Sequence, residues 1–210
     1  MSFPWRLHVA SLLADHAFLR VGWRNFATVL PGRLYRSNHP SPAALARLVR
    51  RAGIHSVINL RGEKYNASNE LEIRAARRLG LELRFLGLES RGAPHRERIL
   101  RLAELYASLP PPILIHCKSG ADRAGLAAGI AVLIAGGTSR AALAQMAWKF
   151  LHIRASRTGI LDAFFELYAR TGEGRKPFLD WVREDYHEDQ LRLELSKTAS
   201  FVNDCLLRRE

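Results

Sequence analysis

The stretch Ile113-Leu114-Ile115-His116-Cys117-Lys118-Ser119-Gly120-Ala121-Asp122-Arg123-Ala124-Gly125 decides the fold. Three prolines, Pro110 to Pro112, precede a short run of Ile and Leu that reads as a buried strand. A tight loop follows, then the first turn of a helix that continues through Leu126 to Ala135 and stops at Gly136-Gly137. A strand running through a loop directly into a helix is part of an α/β layer arrangement.

The same stretch carries chemistry. A loop entering a helix N-terminus turns several backbone N–H groups into one concavity, which suits a phosphate-sized anion. Cys117 stands at its mouth, where such groups and the helix dipole favour the ionised form of a thiol. Gly120 lets the loop curl where a Cβ would collide with the chain or the anion. Arg123, in the spacing Cys-x5-Arg, returns to the rim, where its planar fork can hold two phosphate oxygens. A thiolate under a cradled phosphorus atom is a nucleophile aimed at a phosphoryl group. The competing reading is a buried Cys before an ordinary helix, with Arg123 in solvent.

His116-Cys117-x5-Arg123-x-Gly125 resembles the signature of the cysteine-dependent phosphatases, the protein tyrosine and dual-specificity superfamily. Leu34-Tyr35-Arg36-Ser37-Asn38-His39-Pro40 resembles the opening strand and turn of bacterial members of the dual-specificity type. The resemblance implies a small, mostly parallel sheet flanked by helices, with extra C-terminal helices here. It implies a two-step reaction through a cysteinyl phosphate that needs no metal and no cofactor. Cys117 is then the nucleophile, Arg123 the clamp, and Lys118, Ser119, Gly120 and Ala121 contribute the cradle. His116 orders the loop through hydrogen bonds. Lys118 either adds charge toward a substrate with several anionic groups or faces outward.

Two departures matter. Relatives commonly place an acid, often Asp, on a separate loop upstream of the cysteine. This chain offers Glu89 there, with His95 close behind. The other candidate is Asp122, as in the similar Asp-Arg loop ending of myotubularin-like phosphatases, and the third alternative is that no acid of this kind serves. Relatives also commonly carry Ser or Thr after the arginine, a hydroxyl that stabilises the departing thiolate. This chain has Ala124, so the expectation is slow breakdown of the cysteinyl phosphate unless Ser119 substitutes.

The chain has 210 residues, 48% hydrophobic, enough for one sizeable core. The formal net charge of +12 points to an anionic partner or substrate. No Lys/Arg block with interleaved aromatics favours nucleic acid. Of the two cysteines, Cys205 reads as a small apolar residue in a helical tail, and a disulfide is not expected. Arg6, His8 and Asp15 interrupt any signal-peptide core. The expectation is a cytoplasmic protein, peripheral at a membrane if its lead-in binds lipid.

That lead-in spans residues 1–30, with Trp5, Leu12, Phe18, Trp23 and Phe26 among Arg6, Arg20 and Arg24. It suits an interfacial helix on anionic lipid or a helix packed on the domain. Residues 31–170 read as the phosphatase domain, and 171–210 as a helical extension packed on it. Ser41-Pro42 opens a helix that ends near Gly53, and His55–Leu60 is a strand. Arg61, Lys64 and Tyr65 follow at its C-terminal end and are either a pocket wall or a solvated loop. Ser68 or Asn69 is expected to cap the next helix, before a strand from Leu81. Helices are expected over 96–109, 141–150, 159–170, 177–195 and 197–207.

The functional expectation is a phosphomonoester hydrolase acting on phosphotyrosine in proteins or on a phospholipid headgroup such as phosphatidylglycerophosphate. Two rivals stand beside it: a phosphate-binding module with weak or no turnover, and a loop-cysteine sulfurtransferase, which would not need Arg123.

Overall fold

The structure is a computed structural model that describes residues 24–193. The expected helix over 197–207, Cys205 and most of the lead-in lie outside them.

Two adjoining strands, β1 (Ala27–Leu30) and β2 (Leu34–Asn38), form an antiparallel hairpin. The end of the expected lead-in is thus an edge strand. Then come α1 (Pro42–Ala52), β3 (Ser56–Asn59), α2 (Ala67–Leu79), β4 (Glu82–Phe85), α3 (Arg96–Ser108), β5 (Ile113–Cys117) and α4 (Asp122–Ile134). The sheet order is β1-β2-β5-β3-β4, with every pair but β1–β2 parallel. β5 is central, so its exit loop opens at the C-terminal edge of the sheet, where α/β folds bind ligands.

The sheet is covered on both faces, and side-chain alternation shows why. Leu114 and Val57 pack with Leu45, Leu48 and Ala75, under α1 and α2. Ile113, Ile115 and Ile58 point the other way, into a larger core with Ile99, Leu102, Leu126, Phe164 and Trp181. Ser41 caps α1 by accepting from Ala44 N, Pro42 begins it, and Gly53 ends it in the left-handed conformation. Asn66, rather than Ser68 or Asn69, caps α2: its side chain accepts from Asn69 N at 3.0 Å.

Beyond α4 the chain departs from the expected helices. α5 (Ser139–Leu143) is short, and three single 3₁₀ turns, Ala144–Met146, Trp148–Phe150 and Arg157–Gly159, carry the chain as a strap to α6 (Ile160–Thr171). α7 covers only Phe178–Glu184, and a further helix starts at Glu188. The break serves Tyr186, fully buried, whose hydroxyl donates to Pro94 O at 2.7 Å. Phe178, Trp181, Val182 and Leu191 join the main core. Among the described residues no helix is long and apolar enough to cross a membrane.

Candidate active site

β5 delivers Cys117 to the C-terminal edge of the sheet, and α4 begins five residues later at Asp122. The loop between them curls back over the sulfur. Gly120 N donates to Cys117 Sγ at 3.3 Å, so the buried thiol faces the Gly120 amide of its own loop. Gly120 makes this possible, with φ of +77°. A Cβ there would sit 2.7 Å from Asn38 N and 2.8 Å from Ser37 C, both backbone atoms. Ser119 Oγ accepts from Ala121 N at 3.3 Å, a second bond that holds the curl.

Arg36 braces the loop from below, and the sequence reading gave it no role. It lies on β2, fully buried. Nη2 donates to Gly120 O at 2.7 Å and Ala121 O at 3.1 Å, and Nη1 to Gln145 O at 2.5 Å. Its guanidinium lies 3.9 Å from the centre of the Phe150 ring. Arg36 thus holds two of the loop's carbonyls, those of Gly120 and Ala121, on its own side. Burial pushes the Arg36 pKa down to about 10, while the charge of Cys117 pulls it back up. Asn25 ties the same parts together, donating to Ser119 O at 3.2 Å and Phe150 O at 2.9 Å.

His116 is fully buried on β5 and lies 2.5 Å from Glu72 of α2, itself buried. Asn59 donates to the other Glu72 oxygen at 2.7 Å. His39 packs edge-on against His116, its ring centre 4.7 Å away, with Nε2 3.8 Å from Glu72. Burial opposes the charge on Glu72, but His116, His39 and Asn59 outweigh it and hold its pKa down at about 2. The three residues bring ligand-type atoms within 4.8 Å of one another, a set that could hold a metal ion. The carboxylate oxygens already face His116 at 2.5 Å and the Asn59 amide at 2.7 Å.

Asp122, in the first turn of α4, is partly exposed and pairs with His152 of the strap: Oδ1 is 2.8 Å from Nδ1. The other ring nitrogen is 2.7 Å from Asp162 Oδ2, at the start of α6. Burial works against the His152 cation, but the two carboxylates raise its pKa to about 9. Glu89 is engaged elsewhere. It pairs with Arg98 and accepts from His95 N at 3.3 Å, tying the loop after β4 to α3. Arg123 is half-buried and pairs with no carboxylate among the described residues. Lys118 and Ser119 are exposed at the loop surface, whereas Ala121 and Ala124 are buried. Arg61 reaches the site indirectly, with Nη1 3.2 Å from His39 Nδ1, while Lys64 and Tyr65 are exposed.

The missed residues share one property. Arg36, Glu72, Gln145 and His152 act on partners far away in sequence. An arginine on the core-facing side of a parallel strand was the available signal, since a buried charge demands partners.

No protein-family model matches the sequence, and no curated protein matches it. Solved structures match the fold. The core catalytic domain of the PP-IP phosphatase SIW14 from S. cerevisiae superimposes with a TM-score of 0.53 at 21% identity, over 84% of this chain and 94% of that one. P. aeruginosa TpbA matches at 0.53 and 21%, over 78% and 95%, and has also been solved in complex with pTyr. A putative phosphatase from Shewanella putrefaciens matches at 0.54 and 21%, over 75% and 99%. The fold is therefore that of the tyrosine-phosphatase-like proteins: a five-stranded, mostly parallel sheet between helical layers.

Proposed function

We propose that the protein is a cysteine-dependent phosphomonoester hydrolase. The observation that carries this is the sulfur of Cys117, enclosed by its loop and accepting from Gly120 N at the N-terminus of α4. The thiolate attacks phosphorus in line with the ester oxygen. The loop N–H groups from Lys118 to Arg123 and the Arg123 guanidinium hold the three equatorial oxygens, where charge gathers in the transition state. Asp122 is the acid carried forward, taking its proton from the His152 imidazolium 2.8 Å away, whereas Glu89 is held by Arg98 and His95 N. Water then hydrolyses the cysteinyl phosphate. His116 and Glu72 hold the end of β5 under the loop.

The substrate is a phosphotyrosine protein or a phospholipid headgroup such as phosphatidylglycerophosphate. The net charge of +12 and exposed Lys118 favour an anionic lipid. The protein works in the cytoplasm, against the membrane surface when its substrate is lipid. A non-hydrolysing phosphate binder is the second reading, and Ala124 is the observation that favours it.

Hydrolysis of a chromogenic aryl phosphate tests the assignment. Activity is expected to vanish in Cys117→Ser and to fall steeply in Arg123→Ala. A Cys117→Ser protein as active as the parent removes the mechanism, and an unimpaired Arg123→Ala protein favours sulfur transfer.

A further inference from the structure

The strap between α5 and α6 has an inner and an outer face. Inward, Gln145 and Phe150 hold Arg36, and His152 holds Asp122. Outward stand Trp148, Leu151 and Ile153, 69%, 46% and 48% exposed. At the same C-terminal edge of the sheet, the loop after β3 puts Tyr65 wholly in solvent. That loop is linked to the phosphate loop through Arg61 and His39, whose N–H donates to Lys118 O at 3.4 Å. Five large hydrophobics are exposed among the described residues, and four belong to these two loops. Scattered apolar residues need no explanation, but four on the loops flanking one site do.

Leu151 sharpens the point. Its φ is +62°, in the left-handed region where a bulky residue is strained and Gly or Asn is at ease. Its side chain, 46% exposed, belongs to neither hydrophobic core cluster. Lys64 and Lys149 are exposed next in sequence to Tyr65 and Trp148, and Lys118 is exposed on the loop after β5; of the acids near them, Glu63 is exposed and Glu166 is paired with Arg154 of the strap. The described cavity with mainly apolar walls, about 560 Å³, is no rival platform. It is lined by Leu30, Arg33 and Ile113, at the end of the sheet opposite Cys117.

We propose that the outer face of the strap, with Tyr65 across from it, docks on an anionic lipid bilayer and seats the phosphate loop over phosphomonoester headgroups. Trp148 and Tyr65 lie at headgroup depth, Leu151 and Ile153 below them, and the lysines meet lipid phosphates. This rests on the phosphatase reading and selects lipid from its two substrate classes.

Co-sedimentation of the full chain with vesicles tests it. Binding is expected to phosphatidylcholine vesicles containing phosphatidylglycerol and to be much weaker with phosphatidylcholine alone. The triple variant W148A/L151N/I153S is expected to bind about ten-fold more weakly or worse. Its kcat/KM should fall equally on vesicle-borne phosphatidylglycerophosphate and stay unchanged on a soluble aryl phosphate. Leu151→Asn alone suits the backbone, so it keeps the fold and moves binding in the same direction. Undiminished vesicle binding by the triple variant overturns the proposal. So does a phosphotyrosyl peptide whose kcat/KM exceeds that of the vesicle lipid and falls in the triple variant. Cys117→Ser separates the two readings: it should bind vesicles normally while hydrolysing nothing.

Discussion

His152 lies 2.8 Å from Asp122 and turns its other nitrogen to Asp162 at 2.7 Å. One buried imidazole thus joins the first turn of α4 to α6 through two carboxylates. Because the folded pKa is raised from 6.5 to about 9, the cation stabilises the fold fully below pH 6.5 and ceases to as pH rises through 9. Urea unfolding across that window is expected to show a loss on the order of 2 kcal/mol. His152→Gln, which cannot carry the charge, should lack that slope. Parallel stability curves for the two proteins would contradict the coupling.

Asp122 can protonate a leaving group only if leaving-group basicity matters. Asp122→Asn should therefore slow hydrolysis of an alkyl phosphate by about 10²-fold or more, and an aryl phosphate much less. If both substrates slow equally, Asp122 is only an anchor for His152.

What could be read from the chain is what is local in it. β5, its loop and α4 occupy one unbroken segment, and the caps at Ser41 and Gly53 need only neighbours. The helix expected over 141–150 had a sound apolar rhythm: Leu143, Met146, Ala147 and Phe150. It breaks at Ala147, whose backbone is extended with ψ of 154°, and the Gln145 carbonyl just before the break accepts from Arg36, 109 residues away. Close passage of the strap over α4 requires Gly125, whose Cβ would lie 2.6 Å from Met146 Sδ. Sequence period reports which residues want burial, not which distant donor claims a carbonyl. For the same reason Cys117, Asp122 and Arg123 were legible as one motif, while Arg36, Glu72 and His152 were not.

Arg36 satisfies carbonyls of Gly120, Ala121 and Gln145 without contact to water. Arg36→Met keeps much of the volume but orphans those acceptors, each costly to leave unpaired. The expected loss is about 3 kcal/mol or more in chemical denaturation. Arg36→Lys supplies one point charge in place of a fork and should recover only part of it. A fully stable Arg36→Met protein would show that the loop holds itself.

Gly120→Ala isolates loop shape from charge. The added methyl meets the backbone of β2 at 2.7 Å and sits at a positive φ, so either the loop or the strand end must shift. Phosphate protection of Cys117 from alkylation by iodoacetate reads the cradle directly. The parent should be protected by inorganic phosphate or vanadate, and the Gly120→Ala protein should not. Equal protection in both would mean that the curl over Cys117 is not what holds the anion.

The second chemical step is where Ala124 should leave its mark. No hydroxyl follows Arg123, and Ala124 is fully buried at the first turn of α4. Under the proposed mechanism, with less help for the departing thiolate, hydrolysis of the cysteinyl phosphate is expected to be the slow step. Rapid-quench kinetics with an aryl phosphate should then give a burst of phenol close to one equivalent of enzyme, followed by a slower linear phase. Ala124→Ser adds one oxygen where a small side chain already fits. It is expected to raise the linear rate several-fold while leaving the burst rate unchanged, because only thiolate departure is eased. A trace that is linear from the start in the parent protein would place the slow step before the intermediate and remove any role for the missing hydroxyl.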